Sequence, residues 1–209
     1  MDGLLIDSEP LWNEATAEVF AQYGKKLTNH EFEQTTGLRT SEFVSWWLRD
    51  YKFDNTELEK IAEKIIQKVI EKVETVGQPL PGIQHIINFF HERKFKIGLA
   101  TSSPRSLVEV VCKRFGIGGY IQVKTSAEHL QYGKPHPQVY LNCAEELQSS
   151  PLQCVCFEDS VNGMIAVKAA RMKCVVVPTQ LQLKNEKWSI ADLKISSLKN
   201  FSELHINLL

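Results

Sequence analysis

The chain has 209 residues, with 43% hydrophobic and 23% charged positions, enough to close one core and a small insert without disulfide staples. Twenty-four Lys and Arg stand against 25 Asp and Glu, a net charge of -1 that argues against a general nucleic-acid or membrane-surface binder. The five cysteines are odd in number and set mostly in apolar surroundings, so they read as free thiols of a reducing cytoplasm.

In chain order, the first zone is a short head, residues 1–9, whose Asp2, Asp7 and Glu9 are incompatible with a signal peptide. A second zone, roughly 10–76, reads as almost entirely helical. Ser8 ahead of Glu9 and Pro10 marks a helix start. Thr28 with Glu31, and Thr56 with Glu59, fit capping boxes. From there Ile61, Ile65, Ile66, Val69, Ile70 and Val73 recur at helical spacing until Gly77, and Pro79 to Gly82 is a turn. The third zone alternates. Strands are expected at 95–101, 120–124, 153–157 and 173–177, and helices at 104–115, 137–147 and 162–170, with a last strand at Lys194-Ile195 and a short closing helix. This is an α/β pattern of βαβ units on a parallel sheet, whose ligands sit beyond the carboxyl ends of the strands. Cys154 and Cys156 share a face of one strand, but no second pair has zinc spacing.

Those strand ends carry the chemistry. After Ala100 come Thr101, Ser102 and Ser103, hydroxyls and backbone N–H groups at a helix start that suit an anion. After Phe157 come Glu158 and Asp159, adjacent carboxylates suited to a hard cation, Mg²⁺ first. Between them Lys134, in Gly-Lys-Pro-His-Pro, can neutralise phosphate charge. Hydroxyl, lysine and paired acid on three separate strand ends describe a Mg²⁺-assisted phosphate site.

At this point the sequence resembles the haloacid dehalogenase-like phosphatases, in the subgroup with a helical cap after the first motif. That motif reads Asp-x-Asp-Gly-x-x-x-Asp-Ser-Glu, and Met1 to Glu9 match all but its first residue. Thr101, Lys134 and the run Glu158 to Gly163 match the second, third and fourth motifs. Within the family the text is most similar to bacterial phosphatases of 2-deoxyglucose 6-phosphate and hexitol phosphates, along Leu4 to Trp12, Lys134 to Leu141 and Glu158 to Met164. The resemblance implies a Rossmann-like core (1–9 and 79–209) carrying a small all-helical cap (10–78). It implies Mg²⁺-dependent hydrolysis of a small phosphorylated sugar or sugar alcohol through an aspartyl-phosphate, by a monomer in the cytoplasm with neither nucleic-acid nor membrane partner. Asp2 is then the acid/base and a metal ligand through its backbone carbonyl. Asp159 ligates the metal directly and Glu158 helps hold it. Thr101, Ser102 and Lys134 hold the phosphoryl oxygens.

The resemblance also sets the attacking Asp one position before Met1, outside this sequence, together with the strand leading into it. That strand belongs mid-sheet, between those ending at Ala100 and Phe157. Each apolar side chain it would bury is worth roughly 1.5–3 kcal/mol. The expectations are that the natural protein starts at least one strand earlier and that the chain as given turns over little substrate. In the cap loop Arg39 is expected to reach sugar hydroxyls, one of Trp46 and Trp47 to be core, and Trp12 to be packing. The rival readings are a β-phosphoglucomutase-like phosphosugar mutase and a non-catalytic phosphosugar-binding protein.

Overall fold

The computed structural model describes residues 1–209. Four helices follow the head: α1 (Glu9–Ala21), α2 (Asn29–Gln34), α3 (Thr40–Trp47) and α4 (Asn55–Val76). Ile61, Ile65, Val69 and Val73 form the buried stripe of α4 and pack against Leu11, Ala15, Val19 and Phe20 of α1, while Glu and Lys fill the other face. The Thr28–Glu31 capping box opens α2 as expected. On α4 the box is Asp54–Glu57, two residues earlier than expected: the Asp54 carboxylate accepts from the backbone N–H of Glu57 at 2.8 Å, and Thr56 falls inside the first turn.

The remaining elements alternate: α5 (Ile83–Glu92), β1 (Gly98–Thr101), α6 (Arg105–Arg114), β2 (Val123–Ser126), α7 (Gln138–Glu146), β3 (Val155–Glu158), α8 (Val161–Ala169), β4 (Lys173–Val176), β5 (Leu193–Lys194) and α9 (Glu203–Ile206). All the expected strands are present, but β1 and β2 each start three residues late. Gly118-Gly119-Tyr120 makes a 3₁₀ turn instead, where the paired glycines have no side chains to hold an extended run.

The pairing is parallel throughout, in two separate sheets, β1–β2 and β3–β4–β5. β1 and β3 do not bond to each other. The space between their facing edges is an apolar cavity of about 420 Å³ walled by Met1, Leu5, Phe90, Ala100, Val155 and Phe157 among others. At the far side Phe201 is buried edge-on against Phe89 and Phe157, with ring centroids 5.3 and 5.0 Å away.

The head is a tight turn rather than a strand. Gly3 N–H donates to the Ile6 carbonyl at 3.0 Å, and Leu5 N–H to Met1 at 2.7 Å. Leu4 and Ile6 are buried. Asp7 N–H donates to Gln78, and Leu80 N–H to Leu5, so the head is stitched to the chain leaving α4. Asp2 is thereby held beside the carboxyl ends of β1 and β3.

An apolar cavity of this size between two open edges should take up a hydrophobic dye. Folded protein mixed with anilinonaphthalene sulfonate is expected to show blue-shifted, enhanced fluorescence at denaturant concentrations well below the unfolding midpoint. Fluorescence equal to that of the dye alone would mean the edges close in solution.

Candidate active site

Three strand ends and the head converge under the cap helices. The cavity they enclose, about 160 Å³, is walled on the core side by Asp2, Gly3, Thr101, Ser102, Lys134 and Asp159, and on the cap side by residues of α1, α2 and the 35–40 loop.

Asp2 sits in a cradle of donors. Its Oδ1 accepts from Ser8 Oγ at 2.6 Å and from Trp12 Nε1 at 3.0 Å; its Oδ2 accepts from Ser103 Oγ at 2.6 Å. Burial opposes its charge, but the Met1 ammonium and these three donors outweigh burial and hold the carboxyl below its usual range. Ser8 occupies the N-cap position of α1 yet makes no capping bond, its hydroxyl being used on Asp2.

Lys134 and Glu158 form a buried ion pair at 2.6 Å, with side chains only 6% and 5% exposed. Tyr140, one turn into α7, donates its hydroxyl to the same Glu158 oxygen, and Ser160 donates to the other at 3.1 Å. Burial pushes the Glu158 carboxyl up, but the Lys134 charge and these bonds bring it below the ordinary value. The same Ser160 hydroxyl accepts from Gly163 N–H at 3.0 Å and so caps α8.

Asp159 is the opposite case. No donor reaches it, and burial together with the neighbouring Glu158 charge pushes it up to about 7. Its Oδ2 lies so close over Gly3 that a Cβ there would meet it at 1.9 Å, and Gly3 is left-handed (φ +63°), so only glycine serves.

The cap is latched down on this floor. Ser102 Oγ donates to the Gly37 carbonyl at 2.8 Å, and Asn162 Nδ2 to the Thr36 carbonyl at 3.1 Å. Gly37 is also left-handed (φ +88°), and a Cβ on it would come 2.8 Å from Ser160 Oγ. Arg39, expected at the sugar hydroxyls, is engaged with protein groups here. Its guanidinium pairs with Glu42 at 2.6 Å and donates to the Leu130 carbonyl of the core. It fastens cap to core beside the Lys134 loop, and its Nε is buried without a partner. Trp12, expected as packing, carries a donor to Asp2. Of the tryptophan pair, Trp46 is exposed beneath Arg49, while Trp47 is partly buried and donates to Thr35 at 3.1 Å.

The structure thus brings Asp2, Thr101, Ser102, Lys134, Glu158 and Asp159 together, with Arg39 at the cap–core seam beside Gly133. It adds Ser8, Trp12, Ser103, Tyr140 and Ser160. Ser103 was readable as the third hydroxyl of the Thr-Ser-Ser run, and Tyr140 as the residue on α7 facing the lysine loop. The partners of Trp12 had no local signal.

A model of the haloacid dehalogenase-like hydrolases matches residues 1–177. The chain belongs to the haloacid dehalogenase-like hydrolases. Among members of this family, hexitol phosphatase B of Escherichia coli is 42% identical over 199 residues, covering 95% of this chain and 90% of that protein. The phosphorylated carbohydrates phosphatase of Thermotoga maritima is 30% identical over 170 residues, covering 81% and 78%. In structure the chain is similar to β-phosphoglucomutase of Clostridium difficile, with a TM-score of 0.88 over 99% of this chain and 92% of that one at 22% identity. It is also similar to CbbY of Rhodobacter sphaeroides in complex with phosphate, with a TM-score of 0.85 over 96% and 92% at 26% identity. The α/β core and helical cap are therefore those of the family.

Haloacid dehalogenase-like hydrolases generally use Mg²⁺, and the site's fit to that ion rests on one side chain. No three His, Cys, Asp or Glu side chains converge as a ready cage. Both Glu158 oxygens accept from protein donors. Asp159, half-buried, is the carboxylate of this pair without a hydrogen-bond partner, and it lies against Gly3. One carboxylate with main-chain oxygen and water suits Mg²⁺, which keeps several waters.

Two outcomes follow from these charges. Asp159 has a folded pKa raised above its unfolded value, so the folded state binds the extra proton between about pH 4 and 7. Stability should fall as pH rises through that window, and millimolar Mg²⁺ should flatten the fall; urea midpoints across the range, with and without the ion, measure both. A midpoint that rises steadily to pH 8 without metal would contradict this charge assignment. Lys134→Met should cost about 3–5 kcal/mol by leaving Glu158 buried and unpaired, and K134M combined with E158Q should recover most of it. Equilibrium denaturation of the two variants checks this.

Proposed function

We propose that this site is that of a Mg²⁺-dependent phosphomonoesterase acting on small sugar or sugar-alcohol phosphates of the hexitol phosphate type, in the cytoplasm. The observation that carries the reading is the cavity in which Asp2, Thr101, Lys134 and Asp159 meet beneath cap helices. The 42% identity to hexitol phosphatase B supports the substrate class.

In this reading the phosphoryl group lies between Thr101 and Lys134. Lys134 stays charged beside Glu158 and offers its remaining protons to phosphoryl oxygens. The backbone N–H groups after β1 face the same group at the start of α6. Mg²⁺, when bound by Asp159 and the Asp2 carbonyl, neutralises phosphoryl charge. Asp2 is the acid/base. Protonated, with its cradle loosened, it gives its proton to the leaving alkoxide; ionised and held by its three donors, it then takes a proton from the water that attacks the phospho-intermediate. The latched cap excludes bulk water while this happens. By resemblance the attacking carboxylate belongs to the position immediately before Met1, and turnover depends on an Asp there.

Calorimetry with sorbitol 6-phosphate and Mg²⁺, beside a phosphate-release assay, tests the proposal. Mg²⁺-dependent binding with little release is expected. A version extended by an apolar strand ending in Asp directly before Met1 should raise release by a factor of at least about 10³. Binding with no release by the extended version would favour a non-catalytic phosphosugar-binding protein. Isomer interconversion, dependent on a bisphosphate, would favour a mutase.

A further inference from the structure

The cap side of the active-site cavity holds a feature the catalytic reading does not use. α1 presents Glu9, Asn13 and Thr16 to the cavity, at positions i, i+4 and i+7 of one helical face. Their neighbours on α1 are all committed: Ser8 and Trp12 to Asp2, Glu14 to Lys72, and Glu18 to Lys68. Asn13 and Thr16 make no side-chain hydrogen bond, and only burial and like charges, with no donor, act on the Glu9 carboxylate. Thr16 is 2% exposed, so its remaining accessible surface lies at the cavity. The Thr16 hydroxyl has no protein partner and is not sealed from the cavity, so it is open to a bond from a ligand there. Across the cavity Phe32, Leu38 and Phe43 give an apolar wall.

The stripe has a direction and a length. It starts at Glu9, next to Ser8 and hence next to Asp2 at the phosphate end, and runs away to Thr16. Seven residues of helix rise about 10 Å. A six-carbon polyol chain, with C–C bonds of about 1.5 Å, spans roughly 8 Å. A three-carbon chain covers less than half of that.

The geometry points to Glu9, Asn13 and Thr16 as a ruler for the substrate's hydroxyls. In this arrangement Glu9 and Asn13 meet those nearest the phosphate, Thr16 meets the far end of a six-carbon polyol, and the aromatic wall takes the C–H face. This deepens the phosphatase reading and rests on it. It makes chain length, rather than the phosphate, the quantity that the cap selects.

Calorimetry with Mg²⁺ tests it on three ligands: inorganic phosphate, glycerol 3-phosphate and sorbitol 6-phosphate. Thr16→Val, nearly isosteric, should weaken sorbitol 6-phosphate about five- to thirtyfold and leave the other two unchanged. Asn13→Ala should weaken both organic ligands and spare inorganic phosphate. Equal weakening of all three ligands by T16V, or no change for any, would overturn the ruler. Wild-type protein that binds none of the three would instead overturn the phosphate-site reading beneath it. A T16V melting temperature within a degree or two of wild type separates lost contact from lost folding.

Discussion

Two carboxylates that follow one another at the end of β3 cannot both be charged and buried unless something divides them. Lys134 makes that division. Its ammonium, together with Tyr140 and Ser160, claims Glu158, and this leaves Asp159 as the site's one unsatisfied acid. The pair is costly to desolvate and is a poor device for stability alone. It earns its place by fixing three elements at once: the 133–137 loop, α7 through Tyr140, and the start of α8 through the shared Ser160 hydroxyl. The phosphate floor, the candidate cation ligand and the helix start behind them depend on one ion pair.

A second constraint ties that floor to the cap. Ser8 could have capped α1 with its own hydroxyl, as its position predicts, and gives that hydroxyl to Asp2 instead. Trp12, one turn on, reaches back to the same oxygen. The first turn of α1 is thus bonded to Asp2. Any rocking of the cap away from the core changes the donors around Asp2, so opening the site and changing its proton affinity are one motion.

How much of this was legible in the sequence follows from where each signal sits. Thr101, Lys134, Glu158 and Asp159 were readable because short apolar strands deliver their last residues to one edge, and the chemistry is local to each strand end. The α4 stripe was readable because apolar residues recur at helical period. Asp54 was missed as the cap of α4 because Thr56 with Glu59 satisfies the same pattern; only the backbone geometry chooses between them. The Arg39 contact was not legible because a loop arginine has many possible partners, and the Leu130 carbonyl it reaches lies 91 residues away. Ser103, Trp12 and Tyr140 hold acids that are distant in sequence, so their roles become visible only once the fold sets the pairs side by side.

The gap between β1 and β3 has a consequence for the molecule in solution. Parallel edges cannot be finished by a hairpin made from the adjoining chain; a parallel partner must come from a crossover or from elsewhere. These two edges face each other across oily walls, with every second backbone group on each side lacking a ladder partner. Such edges are templates for pairing between molecules. An apolar parallel strand seated in this seam would satisfy both edges at once and join β1–β2 to β3–β4–β5 as one sheet.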